Sequence, residues 1–296
     1  MRFRTPRWLA PGSHVRLVAP SSPFEREAFE NGVLRLRTRY RVSFDESIFE
    51  QRHYLAGADE RRLAELDDAL RDASVDGIVC ARGGYGMTRL LPKLDPACLR
   101  KAGPLLVGFS DITALHAFFA RAGLGSVHGA MGAALGRMSP ARLERWFDAV
   151  EGRPVSSHRG LSTIASGVAE GPLVGGNLSV LAALVGTPFE PPLDGTILVL
   201  EDVGEAPYRL DRMLTTLAQA GWFRRVAGVV LGSFTHCGPG ARGAPTAWTL
   251  AERLRDIGKP VASGLQVGHH EDDLELPLGR CARLDSEVGS LVLLPD

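Results

Sequence analysis

Short apolar runs that alternate with amphipathic helical stretches constrain this chain more than any other feature. His14-Val-Arg-Leu-Val-Ala-Pro20 reads as a strand that ends at a turn, and a helical pattern follows over 25–36. A clearer helix spans 60–73, with Leu63, Leu66 and Leu70 on one face. Gly77-Ile-Val-Cys80 is then a short buried strand, Leu105 to Phe109 another, and Thr113 to Ala122 a helix. Strands that alternate with helices predict an α/β fold, with a parallel sheet and helices on its faces.

The pattern weakens over 137–170, where Arg153-Pro154, Ser156-Ser157 and Arg159-Gly160 read as a connection. Beyond it come a helix over 177–185, a strand over 196–200, a helix over 209–220, a strand over 226–231 and a helix over 246–257. Two lobes are expected. Residues 1–150 form an open, parallel-rich sheet with flanking helices, and 165–296 form an α/β or mixed β lobe. No internal repeat is evident.

Charge narrows the partners. Lys plus Arg and Asp plus Glu both number 34, so no global field draws the chain to nucleic acid or to an anionic membrane. Arg35, Arg37, Arg39 and Arg41 could form a local basic patch, but such a run reads more simply as solvated surface. No apolar segment approaches the roughly 18 residues of a spanning helix, and no apolar stretch follows the arginines at the start. A soluble, cytoplasmic protein is expected. The cysteines Cys80, Cys98, Cys237 and Cys281 are scattered, which predicts reduced, buried thiols and neither a disulfide framework nor a zinc site.

Several residues could carry chemistry. Ser110 stands where a buried strand gives way to a helix, the edge at which open α/β sheets bind ligands. There the following amides and the positive helix end could stabilise an oxyanion. The competing reading, and by local sequence alone the leading one, is a helix cap formed by Ser110 or Asp111. Arg82-Gly-Gly-Tyr-Gly86 could bring backbone amides close to a ligand, or could be only a tight turn. Glu201-Asp202 follows a strand and could orient a histidine, or could cap a helix or pair with a cation. His269 and His270 lie in a loop and offer a general base near neutrality, although a surface or capping role is the safer reading of the pair taken alone. Their succession along the chain disfavours joint metal ligation. His128 and His236 are weaker candidates.

Taken together, these segments resemble the LD-carboxypeptidase family of serine peptidases. The resemblance rests on Arg82-Gly-Gly-Tyr-Gly-Met-Thr-Arg-Leu-Leu-Pro92, Gly108-Phe-Ser-Asp-Ile-Thr-Ala-Leu-His116 and Gly175-Gly-Asn-Leu-Ser179. Leu200-Glu-Asp-Val-Gly-Glu205, Gly264-Leu-Gln-Val-Gly-His269 and Leu276-Pro-Leu-Gly279 follow in family order. The resemblance implies a two-lobed α/β protein, often dimeric, with a Ser-His-Glu triad that maps onto Ser110, His269 and Glu201. It implies an oxyanion hole from backbone amides, mapped to Gly84 and Asp111; Tyr85, as the neighbour of that proposed donor, is a candidate for substrate contact. It also implies release of a terminal D-amino acid from murein-derived peptides without metal or organic cofactor. A related branch hydrolyses microcin-type peptide–nucleotide conjugates, and a relative that binds peptide without turnover is a further alternative. The chain departs from the family by a second histidine and the acidic run Glu271-Asp272-Asp273, so His270 competes with His269 for the role of base. A basic side chain is expected to bind the substrate carboxylate, but the sequence does not single one out; Arg82 and Arg89 are candidates.

Overall fold

Gly77–Cys80 and Leu105–Gly108 are buried at every position, the pattern of strands covered on both faces. In a computed structural model, which describes residues 3–4, 7–99, 103–238 and 245–295, both lie inside a parallel sheet. The chain divides into two compact bodies, and the first comprises Arg4–Pro154 with Glu275–Pro277.

The strands of the first body are β1 (His14–Val18), β2 (Arg41–Ser43), β3 (Gly77–Cys80), β4 (Leu105–Gly108) and β5 (Ser126–His128). They run parallel in the order 2-1-3-4-5. The order reverses between β1 and β3, so the crevice outside their carboxyl ends is where such a sheet receives a ligand. Leu276–Leu278 adds an edge strand beside β5. The expected second lobe, 165–296, includes that segment, whereas the fold gives it to the sheet of the first body. Three apolar residues carry too little periodicity to announce the sheet they join.

Helices cover the faces because their apolar stripes match the sheet. The helix Arg26–Arg37 buries Phe29, Val33 and Leu36, and Pro140–Val150 buries Trp146 and Phe147. The arginines of 35–41 that face this packing are structural. Arg35 donates to the carbonyls of Leu135 and Met138, and the Arg39 guanidinium lies 4.6 Å over the Phe147 ring while pairing with Glu144 and Glu151.

The second body comprises Val155–Leu274 and the chain from Leu278 onward. Its strands are β6 (Ser157–Arg159), β7 (Ser162–Ala165), β8 (Val168–Asn177), β9 (Ile197–Val203), β10 (Gly228–Thr235) and β11 (Val261–Ser263). Numbering the Leu276–Leu278 strand β12, there follow β13 (Cys281–Asp285) and β14 (Ser290–Leu293). The sheet order is 6-14-13-8-9-10-11-7. Strands β8 to β11 are parallel, whereas β7, β13, β14 and β6 join antiparallel, so the sheet is mixed. The helix Pro207–Gln219 lays Leu210, Leu214 and Leu217 against a core with Leu198, Leu200, Trp222 and Val229.

Three cysteines are buried as expected, but Cys281 is exposed on β13, where alternate residues face outward. Among the described residues no helix is long and apolar enough to cross a membrane.

Candidate active site

In the first body, Ser110 follows β4 directly and opens a single turn, Ser110–Ile112, before the helix Thr113–Arg121. Its backbone has φ 63°, the left-handed region that costs a residue with a Cβ about 1–2 kcal/mol. The capping reading does not hold. The cap positions of the turn and the helix are Phe109 and Ile112, and neither cap uses a side chain. A half-buried serine in a strained strand-to-helix turn matches the geometry that presents a nucleophile at the top of a sheet.

The glycine segment 83–86 leaves β3 and packs on this turn. A Cβ on Gly83 would lie 2.8 Å from Ser110 Cβ and 3.1 Å from its Oγ, so only glycine admits the approach. Ser22, just past β1, holds the segment: its amide donates to the Gly83 carbonyl (3.1 Å) and its Oγ accepts from the Tyr85 amide (3.1 Å). The Asp111 carboxylate, 2% exposed, accepts from Ser21 Oγ (2.6 Å) and the Met87 amide (2.8 Å). Burial pushes its pKa up, against those two hydrogen bonds and the Arg62 charge. The Gly84 amide meets no acceptor among the described residues, which leaves it available as a donor. Tyr85 is 47% exposed and its ring lies 5.9 Å from that of Tyr54.

In the second body, β9 runs further than the sequence pattern shows, so Glu201 and Asp202 lie within the strand. Glu201 is fully buried, and its Oε2 lies 2.6 Å from His269 Nδ1. His269 sits after Gly268, whose φ is 141°; a Cβ there would stand 3.0 Å from the same carboxylate oxygen. Burial opposes the charged imidazole, but the hydrogen bond and charge of Glu201, aided by Asp202 and Asp273, prevail and raise the pKa of His269. A carboxylate on Nδ1 fixes the tautomer and leaves Nε2 to exchange protons.

The other candidates have different duties. Asp202 accepts from Asn177 Nδ2 and from the amides of Ser179 and Val203, which anchors the start of the helix Leu178–Leu184. Burial pushes its pKa up to about 6. His270 is exposed, and its Nδ1 accepts from the Asp272 amide at 3.3 Å. His128 is buried in β5 beside the rings of Phe109 and His116, and His236 is exposed with φ 55°. Arg89 spends its guanidinium on Asp59, with bonds of 3.0 and 2.8 Å, and Arg82 donates to the Pro23 carbonyl. Sequence reasoning missed Ser21 and Ser22, and it read Asp273 only as a member of the acidic run 271–273. The two serines carry one signal, their place just past the end of β1 at the reversal of strand order, but it is usable only once that order is known.

Comparison with known proteins identifies the relatives of the chain. Residues 15–129 match the LD-carboxypeptidase N-terminal domain and residues 170–284 the LD-carboxypeptidase C-terminal domain. A Streptomyces coelicolor protein with a carboxypeptidase name is 42% identical over 298 residues, covering 97% of this chain and 95% of its own length. The murein tetrapeptide carboxypeptidase of Pseudomonas aeruginosa is 33% identical, with 94% of this chain and 95% of the relative covered. The crystal structure of muramoyltetrapeptide carboxypeptidase from Oxalobacter formigenes superposes with a TM-score of 0.85 at 31% identity, covering 94% of this chain and 97% of that one. The fold and its relatives are those of serine carboxypeptidases. This chain belongs to the LD-carboxypeptidase family.

Proposed function

We propose that this chain is a cytoplasmic LD-carboxypeptidase that removes the terminal D-amino acid from a murein-derived peptide, with Ser110, His269 and Glu201 as its catalytic triad. The observation that carries the reading is the 2.6 Å bond between His269 Nδ1 and the buried Glu201, a base already held in one tautomer. The strained presentation of Ser110 supports it from the other body.

Ser110 Oγ attacks the carbonyl carbon of the L,D-peptide bond as its proton passes to His269 Nε2. The carbonyl oxygen becomes an oxyanion that the Gly84 and Asp111 amides stabilise. Collapse breaks the C–N bond, and the leaving amine takes the proton from His269. Water then gives a proton to the same nitrogen, attacks the acyl-serine and releases the shortened peptide, with Ser110 recovering its hydrogen. Glu201 stays ionised throughout and stabilises the imidazolium.

Incubating the protein with a murein tetrapeptide, and separately with an aminoacyl-sulfamoyl adenylate, tests the substrate. Release of D-alanine from the tetrapeptide is expected. Cleavage of the adenylate alone would replace this reading with that of a peptide–nucleotide hydrolase, and binding without turnover would make the chain a peptide-binding relative.

A smaller change tests the glycine segment. In Gly83→Ala the new methyl would crowd Ser110 Cβ and Oγ, so turnover should fall on the order of 100-fold while the protein remains folded. Wild-type kcat in that variant would show that the segment does not set the position of the hydroxyl.

A further inference from the structure

Past His269, the acidic run Glu271-Asp272-Asp273 is not uniform. Glu271 and Asp272 are exposed, whereas Asp273 is only 6% exposed. Its carboxylate accepts from the hydroxyl of Ser233 on β10, at 2.9 Å to Oδ1 and 3.0 Å to Oδ2. Oδ2 also accepts the His270 amide at 2.7 Å, and the Asp273 amide returns a bond to the His270 carbonyl at 3.1 Å. One carboxylate therefore closes a turn immediately after His269 and ties it to β10, the neighbour of the strand that bears Glu201. A second link is made on the other side of His269, where the Ser233 amide donates to the Val267 carbonyl at 2.8 Å.

We propose that Asp273 is a positioning residue for the imidazole of His269, acting through the His270 amide and Ser233. A buried acid costs free energy unless its oxygens are satisfied, and here the donors come from the two chain segments that must be kept in register. Without this clamp the loop keeps Gly268 against Glu201 but loses the restraint on the residue that follows His269. Among the described residues, the charged groups that raise the pKa of the imidazole include Glu201 and Asp202 from β9 and Asp273 from its own loop. Asp273 thus acts on His269 in two ways, by geometry and by charge.

Two substitutions separate these effects. Asp273→Ala removes both and should lower kcat by 10- to 100-fold with KM little changed. Asp273→Asn keeps an acceptor for the His270 amide and a group that can bond the Ser233 hydroxyl, so it should restore most of the rate. It removes the charge, so the His269 imidazole should titrate at lower pH when followed by NMR in the substrate-free protein. Wild-type kcat in Asp273→Ala, or a His269 titration unmoved in Asp273→Asn, overturns the proposal. So does a loss in Asp273→Ala that Asp273→Asn fails to restore. The inference rests on His269 as the base. Because the titration is read without turnover, it is judged separately from the serine mechanism, which instead fails if Ser110→Ala stays active.

Discussion

Ser110→Ala is expected to lower kcat/KM by a factor on the order of 10⁴ or more, with the fold and peptide binding retained. In the proposed mechanism the hydroxyl oxygen becomes covalently bound to the substrate, so no neighbouring group can substitute for it. What remains after its removal is the contribution of oxyanion donors and substrate binding alone. Alanine at φ 63° is about as strained as serine, so the unfolding midpoint should move little. Ser110→Gly makes the sharper companion. It should be equally inactive, yet more stable by up to about 1 kcal/mol, because glycine adopts the left-handed backbone without a Cβ penalty. An inactive and stabilised glycine variant would identify the strain as one kept for presentation of the hydroxyl. Turnover within tenfold of wild type in Ser110→Ala would end the serine mechanism for this chain.

The residues that proved readable are those whose role is local. Strands β3 and β4 announce themselves because they are apolar at every position and bounded by turns, and the helix 59–71 because Leu66 and Leu70 recur on one face. Strand β8 escaped notice for the opposite reason. Its outer half alternates weakly, and its inner half contains Pro172, Gly175 and Gly176, which carry no side-chain periodicity. Gly175 is needed there because β9 passes so close that a Cβ would fall 2.1 Å from the Val199 carbonyl oxygen. That contact depends on pairing, which no local window contains. The site divides in the same way. The residues proposed for the triad, Ser110, Glu201 and His269, are readable as strand-end and loop residues in family order, whereas Ser22 and Asp273 are defined by partners 63 and 40 positions away along the chain. The cap reading of Ser110 failed because a serine before a helix looks the same in sequence whether its φ is negative or positive.

His269→Ala should cost kcat/KM a factor comparable to Ser110→Ala, on the order of 10⁴ or more, whereas His270→Ala should leave it within a few-fold of wild type. The adjacent imidazoles differ in what holds them. His269 is bonded through Nδ1 to a buried carboxylate, while His270 is exposed and its ring Nδ1 accepts from the Asp272 amide of its own turn. The pH profile adds a second discriminator, whose sign follows from the electrostatics. A general base must be neutral in the free enzyme, so kcat/KM rises as pH climbs through the pKa of His269. That pKa is raised, because the Glu201 bond and the nearby carboxylates outweigh the burial that lowers it. The acidic limb should therefore lie above the ordinary histidine value of about 6.5. Glu201→Gln keeps a side chain of the same shape and removes the charge. Its limb should move to lower pH while its plateau falls by about 10²–10⁴-fold, since the imidazolium formed in the reaction is no longer stabilised. If the limb stayed in place, or if His270→Ala were the dead variant, the proton would be travelling through a histidine other than the one Glu201 holds, and the base would have to be reassigned.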